Sequence, residues 1–275
     1  MSTSPEQEAI ARFLRGIEVE PLGQDRFVAP PGGTNDDGRI FGGETLAQAV
    51  LAAGRTAEGF EIHSLHAYFL RAGRAGEAIT YEVERIREGR AFAGRQVAAR
   101  QGSNLIFEAM VGFARPEEGI EHQVAPPVVR APTDEEVAAR REREVRRWGG
   151  PGAFDMVFVE EDSGMLRGSA PHQTLWTRPA APLPDDPLVH AAAMASMTDN
   201  MLYGTVYEYH KLPPGVSLDH SIWWHRPPRW DGWLLRVADS PVAHAARSLM
   251  VASMFDAEGH FVASVAQEGL FRRDW

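Results

Sequence analysis

Asp199 stands where the sequence pattern otherwise places apolar side chains. On a helix it continues an apolar face, at spacings of four, three and four, formed by Leu188, Ala192 and Ala195. Burial of a carboxylate is costly and raises its pKa, which is how a protein makes a carboxylate a base near neutral pH. The pattern indicates a general base, and a structural aspartate bonded to a turn or an arginine is the alternative.

Gln267 is the second polar residue of this kind. In the run HFVASVAQEGLFR, alternation places Gln267 on one strand face with Phe261, Ala263 and Val265. A primary amide donates to one partner and accepts from another, so it can orient a nucleophilic water without adding charge. A glutamine at the core edge, bonded to the backbone, is the alternative interpretation.

Other chemistries have less support. Asp219 is a rival base, or else a turn former at the start of a strand.

The histidines do not have the spacing of a metal site. Separations of three and five place His63 and His66, and likewise His220 and His225, on opposite strand faces, and we expect each to bond a backbone carbonyl. The sequence has no HExxH, GxSxG, phosphate-loop or dinucleotide motif. We expect neither a metal nor a cofactor.

The elements that must position these residues follow one plan twice. A short amphipathic helix and two strands precede a long helix at FGGETLAQAVLAAGRTA, after which four alternating runs predict an antiparallel meander. The second copy begins with a strand at QTLWTRP, has its helix at PLVHAAAMASMTDNMLYG and ends with further strands. GSNLIFEAMVGFAR aligns without gaps on GHFVASVAQEGLFR. Duplication at a period of about 155 residues predicts two similar fused domains.

The repeated plan predicts an α+β fold. A sheet with one long helix after its first strand buries the helix by wrapping around it, which is the hotdog arrangement. We predict a double hotdog of two tandem repeats, each with an antiparallel sheet around a long central helix, at residues 1–115 and 171–275. The second repeat holds Asp199 and Gln267. Residues 116–170 are predicted to be a linker, partly disordered or helical, with a lid over the site as the alternative.

Composition excludes several classes of protein. The 275 residues, 44% hydrophobic and 24% charged, are typical of a globular protein. A net charge of −10, without a basic stretch interleaved with aromatics, argues against nucleic acid as the partner. The absence of cysteine excludes disulfides and a cysteine nucleophile, and fits a cytoplasmic location. No run approaches the roughly 20 apolar residues needed for a membrane span.

The chain resembles the acyl-CoA thioesterase II family over nearly its whole length. The resemblance lies in RIFGGETLAQAV, HSLHAYFLRAG, GRAFAGRQVAA, PDDPLVHAAAMASMTDN, LDHSIWWHRP and VAQEGLFR, in that order. In that family an aspartate, a hydroxyl residue and a glutamine hold the attacking water, and these positions fall on Asp199, Ser217 and Gln267. The hydroxyl residue is commonly threonine, and serine keeps its hydrogen-bonding capacity. The resemblance implies hydrolysis of acyl-CoA to fatty acid and CoA.

Substrate contacts follow from this hypothesis. Gly42 and Gly43 mark the entry to the first long helix, where Gly43 allows close approach to the substrate or serves only as a helix-entry glycine. Met194, Met197 and Met201 would line an acyl channel, with a purely core role as the alternative.

Two other functions stay open at this point. One is an acyl-CoA hydratase or dehydratase on the same fold, and the other is a non-catalytic acyl-CoA-binding protein. In either case the partner is an acyl-CoA, and we expect a homodimer or higher homo-oligomer.

Overall fold

The computed structural model describes residues 3–30, 38–148, 152–159, 166–167, 170–200, 202, 204–213 and 215–272. Met201, predicted to line an acyl channel, lies outside the described residues. The helices are α1 (Pro5–Ile17), α2 (Gly42–Gly54), α3 (Asp134–Trp148), α4 (Pro187–Asp199) and α5 (Gly204–His210).

The strands form an extended antiparallel sheet. They are β1 (Glu20–Gly23), β2 (Arg26–Ala29), β3 (Glu61–Phe69), β4 (Ile79–Glu88), β5 (Phe92–Gln101), β6 (Asn104–Ala114), β7 (Phe154–Phe158), β8 (Leu166–Arg167), β9 (Ala170–Pro179), β10 (Val216–Ser217), β11 (Asp219–Trp224), β12 (Leu234–His244), β13 (Arg247–Asp256) and β14 (Phe261–Leu270). Their order is β1-β2-β4-β5-β6-β3-β11-β14-β13-β12-β9-β7, with β10 on β14 and β8 on β9. The predicted α+β class with a large antiparallel sheet is confirmed.

The pairing of β3 with β11 joins strands from the two halves of the chain. The register runs from Asp219 opposite Tyr68 to Trp223 opposite Ser64. Each strand is thereby covered by the other along an edge that would otherwise expose unpaired backbone groups.

Helices α2 and α4 pack against each other beneath the sheet. Helix α2 also contacts β2 to β6 of its own half. A Cβ at Gly54 would overlap the side chain of Leu188, so glycine permits this close helix contact. Helix α4 begins at Pro187 after Asp186, whose side chain accepts from the Leu188 N–H at 2.9 Å. No helix in the described part of the chain is long and apolar enough to cross a membrane.

Helix α4 is shorter and more deeply buried than its sequence pattern predicted. It was expected to extend to Gly204 but ends at Asp199, because Asn200 takes an extended conformation with φ −73° and ψ 121°. Every residue from His190 to Asp199 is buried, so the helix has no solvent-facing side. A helix that is apolar nearly all round belongs in a core.

The segment between the two halves contains strands that the sequence pattern did not indicate. Its charged run forms the helix α3, and β7 pairs with β9 at the sheet edge. Arg141 of α3 donates to the two carboxylate oxygens of Asp155 at 2.7 and 2.8 Å. This bidentate pair fixes α3 to β7.

Arg95 is a buried arginine whose guanidinium is fully bonded. From β5 it donates to the hydroxyl and the carbonyl of Thr56, both at 2.7 Å, and to Glu88 at 2.5 Å. It also donates to the carbonyls of Arg87 and Gly94. The cation thereby ties the end of α2 to β4 and β5.

We expect Arg95→Met to lower the free energy of unfolding by about 2 to 3 kcal/mol, because the Thr56 groups lose a charged donor while the partly exposed Glu88 regains water. Chemical denaturation measures this change. Arg85→Met is the matched control: Arg85 pairs with Asp25 at the surface, and its loss should cost under about 1 kcal/mol. Equal effects of the two substitutions would contradict the structural role of Arg95.

Candidate active site

Asp199, Ser217 and Gln267 meet at the end of α4. The Ser217 hydroxyl donates to Asp199 Oδ1 at 3.1 Å, and Gln267 Nε2 donates to the same oxygen at 2.5 Å. Gln267 Nε2 also lies 2.7 Å from Ser217 Oγ. The three side chains to which the family resemblance pointed therefore form one closed hydrogen-bonded group.

Two neighbouring strands position the partners of Asp199. Gln267 is on β14 opposite Met250 of β13, and Ser217 is on β10 opposite Gly269 of β14. Gln267 is buried on the apolar face of β14 with Ala263 and Val265, as alternation predicted. The amide reaches α4 because this face of the sheet packs towards the helix.

Burial dominates the electrostatics of Asp199. Only 2% of the residue is exposed, and desolvation raises the pKa of its carboxyl above the ordinary value. Hydrogen bonds from Gln267, Ser217 and the Gly43 backbone N–H act in the opposite direction and favour the ionised form. The result is a carboxylate held in place by neutral donors, with a stronger affinity for a proton than an exposed aspartate has.

The start of α2, from the first half of the chain, completes the surroundings of Asp199. A Cβ at Gly42 would lie 2.7 Å from Asp199 Oδ2, and one at Gly43 would lie 2.5 Å from the Ser196 carbonyl. Both glycines therefore permit close approach between the α2 N-terminus and the end of α4. The positive end of the α2 dipole lies beside the carboxylate.

Gln267 keeps one unused hydrogen-bonding atom in this group. Its Oε1 is buried and has no partner among the described residues. An amide oxygen beside a carboxylate can accept one proton of a water while the carboxylate accepts the other. The arrangement is therefore suited to holding and deprotonating a water molecule.

Asp219 has a different environment. Its Oδ1 accepts the Glu268 backbone N–H at 2.7 Å, which fits the turn-forming interpretation. Partial burial raises the pKa of Asp219, but its recorded bond goes to the backbone and not to Ser217 or Gln267.

Three of the four strand histidines bond hydroxyl groups, and the expectation of backbone carbonyl partners was wrong for these three. His66 pairs with Ser221 at 3.1 Å, His225 with Ser264 at 2.8 Å and His220 with Thr198 at 3.0 Å. Cross-strand and helix neighbours supply these partners, and periodicity within one strand does not reveal them.

His220 is a buried residue beside the site, which the sequence analysis treated only as a strand histidine and not as part of the site. It bonds Thr198, which directly precedes Asp199, and burial lowers the pKa of His220 to about 3. A neutral imidazole here fixes the last turn of α4. Its position next to Asp219 in LDHS was the available signal.

The predicted substrate contacts divide into two groups. Gly42 and Gly43 lie at the Asp199 carboxylate. Met194 and Met197 are buried in the core on α4, among the residues shared with the sheet. Their burial fits both a channel lining and a purely structural role.

Comparison with known proteins adds an independent finding. The family described as "Acyl-CoA thioesterase C-terminal domain" matches residues 125–271, and "Acyl-CoA thioesterase N-terminal domain" matches residues 30–114. Acyl-coenzyme A thioesterase 8 of Homo sapiens is 30% identical, covering 93% of this chain and 87% of that protein. Acyl-CoA thioesterase 2 of Haemophilus influenzae is 32% identical, covering 85% of this chain and 88% of that protein.

Solved structures agree with the sequence comparisons. An acyl-CoA thioesterase II from Mycobacterium marinum superposes with a TM-score of 0.81 at 35% identity, covering 95% of this chain and 98% of that one. A protein from Alicyclobacillus acidocaldarius described as having a hot dog fold superposes with a TM-score of 0.78 at 18% identity, covering 94% and 97%, which shows the fold alone. The chain has a hotdog fold and belongs to the acyl-CoA thioesterase II family.

Proposed function

We propose that this chain hydrolyses acyl-CoA thioesters with a water molecule held and activated by Asp199, Ser217 and Gln267. The observation that carries the proposal is the buried Asp199 carboxylate, bonded by a hydroxyl and an amide whose carbonyl oxygen lacks a partner in the described residues. Membership of a thioesterase family supports the same reaction.

In the proposed mechanism the water oxygen forms a bond to the thioester carbonyl carbon while Asp199 takes the water proton. The carbonyl oxygen becomes an oxyanion, stabilised by the N-terminus of α2. Collapse of the intermediate breaks the carbon–sulfur bond, and the CoA thiolate receives the proton from Asp199. The products are a carboxylic acid and CoA, and no covalent enzyme intermediate forms.

Ser217 and Gln267 position the reactants in this scheme. Both donate to Asp199 Oδ1, so we expect Oδ2, which lies beside Gly42, to accept the water proton. We assign Gly42 and Gly43 to substrate binding because the acyl carbonyl must come within reach of a water at Oδ2. Met194, Met197 and Met201 remain the candidates for the lining of the acyl channel.

The fold organisation belongs to the same proposal. We infer tandem hotdog repeats at 1–115 and 171–275, with α2 and α4 as their central helices and 116–170 as the connection between them. The packing of α2 on α4 and the shared β3–β11 ladder support this division. Assembly into a homodimer or larger oligomer and a cytoplasmic location stay predictions, and sedimentation analysis tests the first.

The central test is substitution of the proposed base and its amide partner. We expect Asp199→Asn and Gln267→Ala each to lower kcat/KM for octanoyl-CoA by at least about 100-fold, because proton removal from the water is lost or misdirected. Release of free thiol measures hydrolysis and separates it from hydratase activity. Asp219→Asn is the matched control and should stay within several-fold of wild type, since its oxygen can still accept from Glu268. Folded Asp199 and Gln267 variants with undiminished turnover would contradict the proposed site.

The acidic side of the pH profile provides a second test. Only ionised Asp199 can take the proton, so activity is present above its pKa and falls as the pH drops through it. Because burial raises the pKa of Asp199, we expect the loss to begin at a higher pH than for an exposed aspartate. Asp219→Asn should leave this limb of the kcat/KM profile in place, although the pKa of Asp219 is also raised. Loss of activity in Asp219→Asn, comparable with the loss expected for Asp199→Asn, would identify Asp219 as the base.

Gly42 provides a steric test of the same geometry. We expect Gly42→Ala to lower kcat/KM by about 100-fold, because the new Cβ would lie 2.7 Å from Asp199 Oδ2 and displace the carboxylate or the water. Steady-state kinetics with octanoyl-CoA measures the effect. Gly16→Ala is the control, since the nearest atom to its Cβ is Glu44 Oε2 at 3.9 Å. Full activity of Gly42→Ala would rule out a reacting water at Oδ2.

A further inference from the structure

His220 is a fully buried histidine that the proposed mechanism does not use. It lies on β11, opposite Ala67 of β3, and has no exposed surface. Its Nε2 lies 3.0 Å from the Thr198 hydroxyl, whereas its Nδ1 is buried without a hydrogen-bond partner among the described residues. Buried polar atoms in proteins are almost always hydrogen-bonded, so the unpaired Nδ1 requires an explanation.

The bonds of Thr198 determine which nitrogen of His220 carries the proton. Thr198 Oγ1 donates to the Ala195 carbonyl at 2.9 Å, one turn earlier in α4. A hydroxyl has a single proton, so Oγ1 acts as an acceptor in its second contact, and His220 Nε2 is the donor. Burial lowers the pKa of His220 to about 3, so the ring carries only this one proton at neutral pH. Nδ1 is therefore an acceptor with a free lone pair.

The bond from His220 acts on the backbone of the proposed base. Thr198 directly precedes Asp199, which is the last residue of α4, and Asn200 is already extended. The final turn of a helix lacks a following turn to bond its carbonyl groups, and helix ends fray. The strand that carries His220 pairs with β3 on one side and β14 on the other, so the donor is held within the sheet. His220 therefore anchors the end of α4 to the sheet.

The free Nδ1 lies beside another unpaired acceptor. Ser221 pairs with Ala266, so one residue further along the two strands His220 and Gln267 are neighbours on the side of the sheet that faces α4. Gln267 Oε1 is likewise buried without a partner among the described residues. Two acceptors cannot bond each other, but one water molecule can donate a hydrogen to each. The amide oxygen has two lone pairs, so it can accept from this water and from the reacting water at Asp199.

We propose that His220 is a positioning residue for hydrolysis: its Nε2 holds Thr198 and thereby Asp199, and its Nδ1 holds the Gln267 amide through a shared buried water. This inference rests on the proposed hydrolase function and adds a residue to it. The imidazole contacts neither the thioester nor the reacting water. It fixes the two side chains that hold that water, and a displacement of about 1 Å in such groups can lower turnover about 100-fold.

The first test determines the tautomer in the wild-type chain. Two-bond ¹H–¹⁵N correlation spectra distinguish a protonated from an unprotonated ring nitrogen, and the signals lost in His220→Gln identify His220. We expect a protonated Nε2 and an unprotonated Nδ1 between about pH 5 and about pH 8, without titration, because the pKa of His220 is about 3. A protonated Nδ1, or an imidazolium in this range, would overturn the proposal.

The second test removes the hydrogen bonds of His220. We expect His220→Leu to lower kcat for octanoyl-CoA by about 10- to 100-fold with KM within about threefold, because the base is displaced while the acyl-CoA site remains. His220→Gln keeps an amide N–H near the position of Nε2 and should recover part of this loss. Thr198→Val removes the acceptor of the same bond, and combining it with His220→Leu should lower kcat little further than either change alone. The valine variant also tests the bond should the leucine variant not fold.

The pH profile separates positioning from stability. Hydrogen bonds from Gln267 and Ser217 favour the ionised form of Asp199, so loosening them raises the pKa of Asp199. The acidic limb of the kcat/KM profile should therefore move to higher pH in His220→Leu. A role in stability alone would lower the amount of folded protein and leave this limb in place.

The matched control is His190→Leu, because His190 is an equally buried histidine in the first turn of α4. It accepts the Trp230 backbone N–H at 2.8 Å, and its loss should lower stability without changing kcat of the folded protein or the acidic limb. Wild-type kcat and pH profile in folded His220→Leu would overturn the proposal, and so would equal losses in His190→Leu. Absence of thiol release from octanoyl-CoA and palmitoyl-CoA by the wild-type chain would instead reject the proposed function, and the inference with it.

Discussion

The burial of one carboxylate, Asp199, is the constraint on which the site depends. Taking a carboxylate out of water is unfavourable unless donors replace the lost hydration. Here the donors are a hydroxyl, an amide and a backbone N–H, all neutral, so the group is held without being neutralised by a cation. An ion pair would have lowered the pKa and weakened the base. Neutral donors preserve proton affinity while fixing the geometry.

The donors come from both halves of the chain. Gln267 and Ser217 belong to adjoining strands of the second half, whereas Gly43 belongs to the first turn of α2 in the first half. The contact of α2 with α4 and the ladder between β3 and β11 are therefore requirements of the site as well as of the core. The glycines at Gly42 and Gly54 permit that helix contact at its two ends.

Two buried arginines show how the same residue type takes different roles in one fold. The guanidinium of Arg95 has a hydrogen-bond partner for each of its nitrogens and connects the end of α2 to two strands. Arg236 is as deeply buried but meets only neutral acceptors in the described structure and retains an unused donor. Stability alone would favour an apolar residue in place of the second, because a buried charge without a counter-ion is disfavoured.

Much of this protein could be predicted from local patterns. The alternation of the strand predicted that Gln267 lies on its inner face, and the spacing of the helix predicted that Asp199 faces the core. Both predictions are possible because the direction of a side chain follows from the period of its helix or strand. The two long helices and most strands followed from the same periodicities. Ser217 gave no signal of its own, and only the resemblance to a family pointed to it.

The tertiary structure decided what periodicity cannot specify. The end of α4 at Asp199, the edge strand β7, the hydroxyl partners of the histidines and the approach of Gly43 to Asp199 all depend on residues distant in sequence. The same holds for Arg236, since the sequence shows an arginine in a strand but not whether a carboxylate lies opposite it. The type of a residue and the face on which it lies can be read from the local sequence. Its partners depend on which helices and strands pack together, and that packing is determined by burial of the whole core.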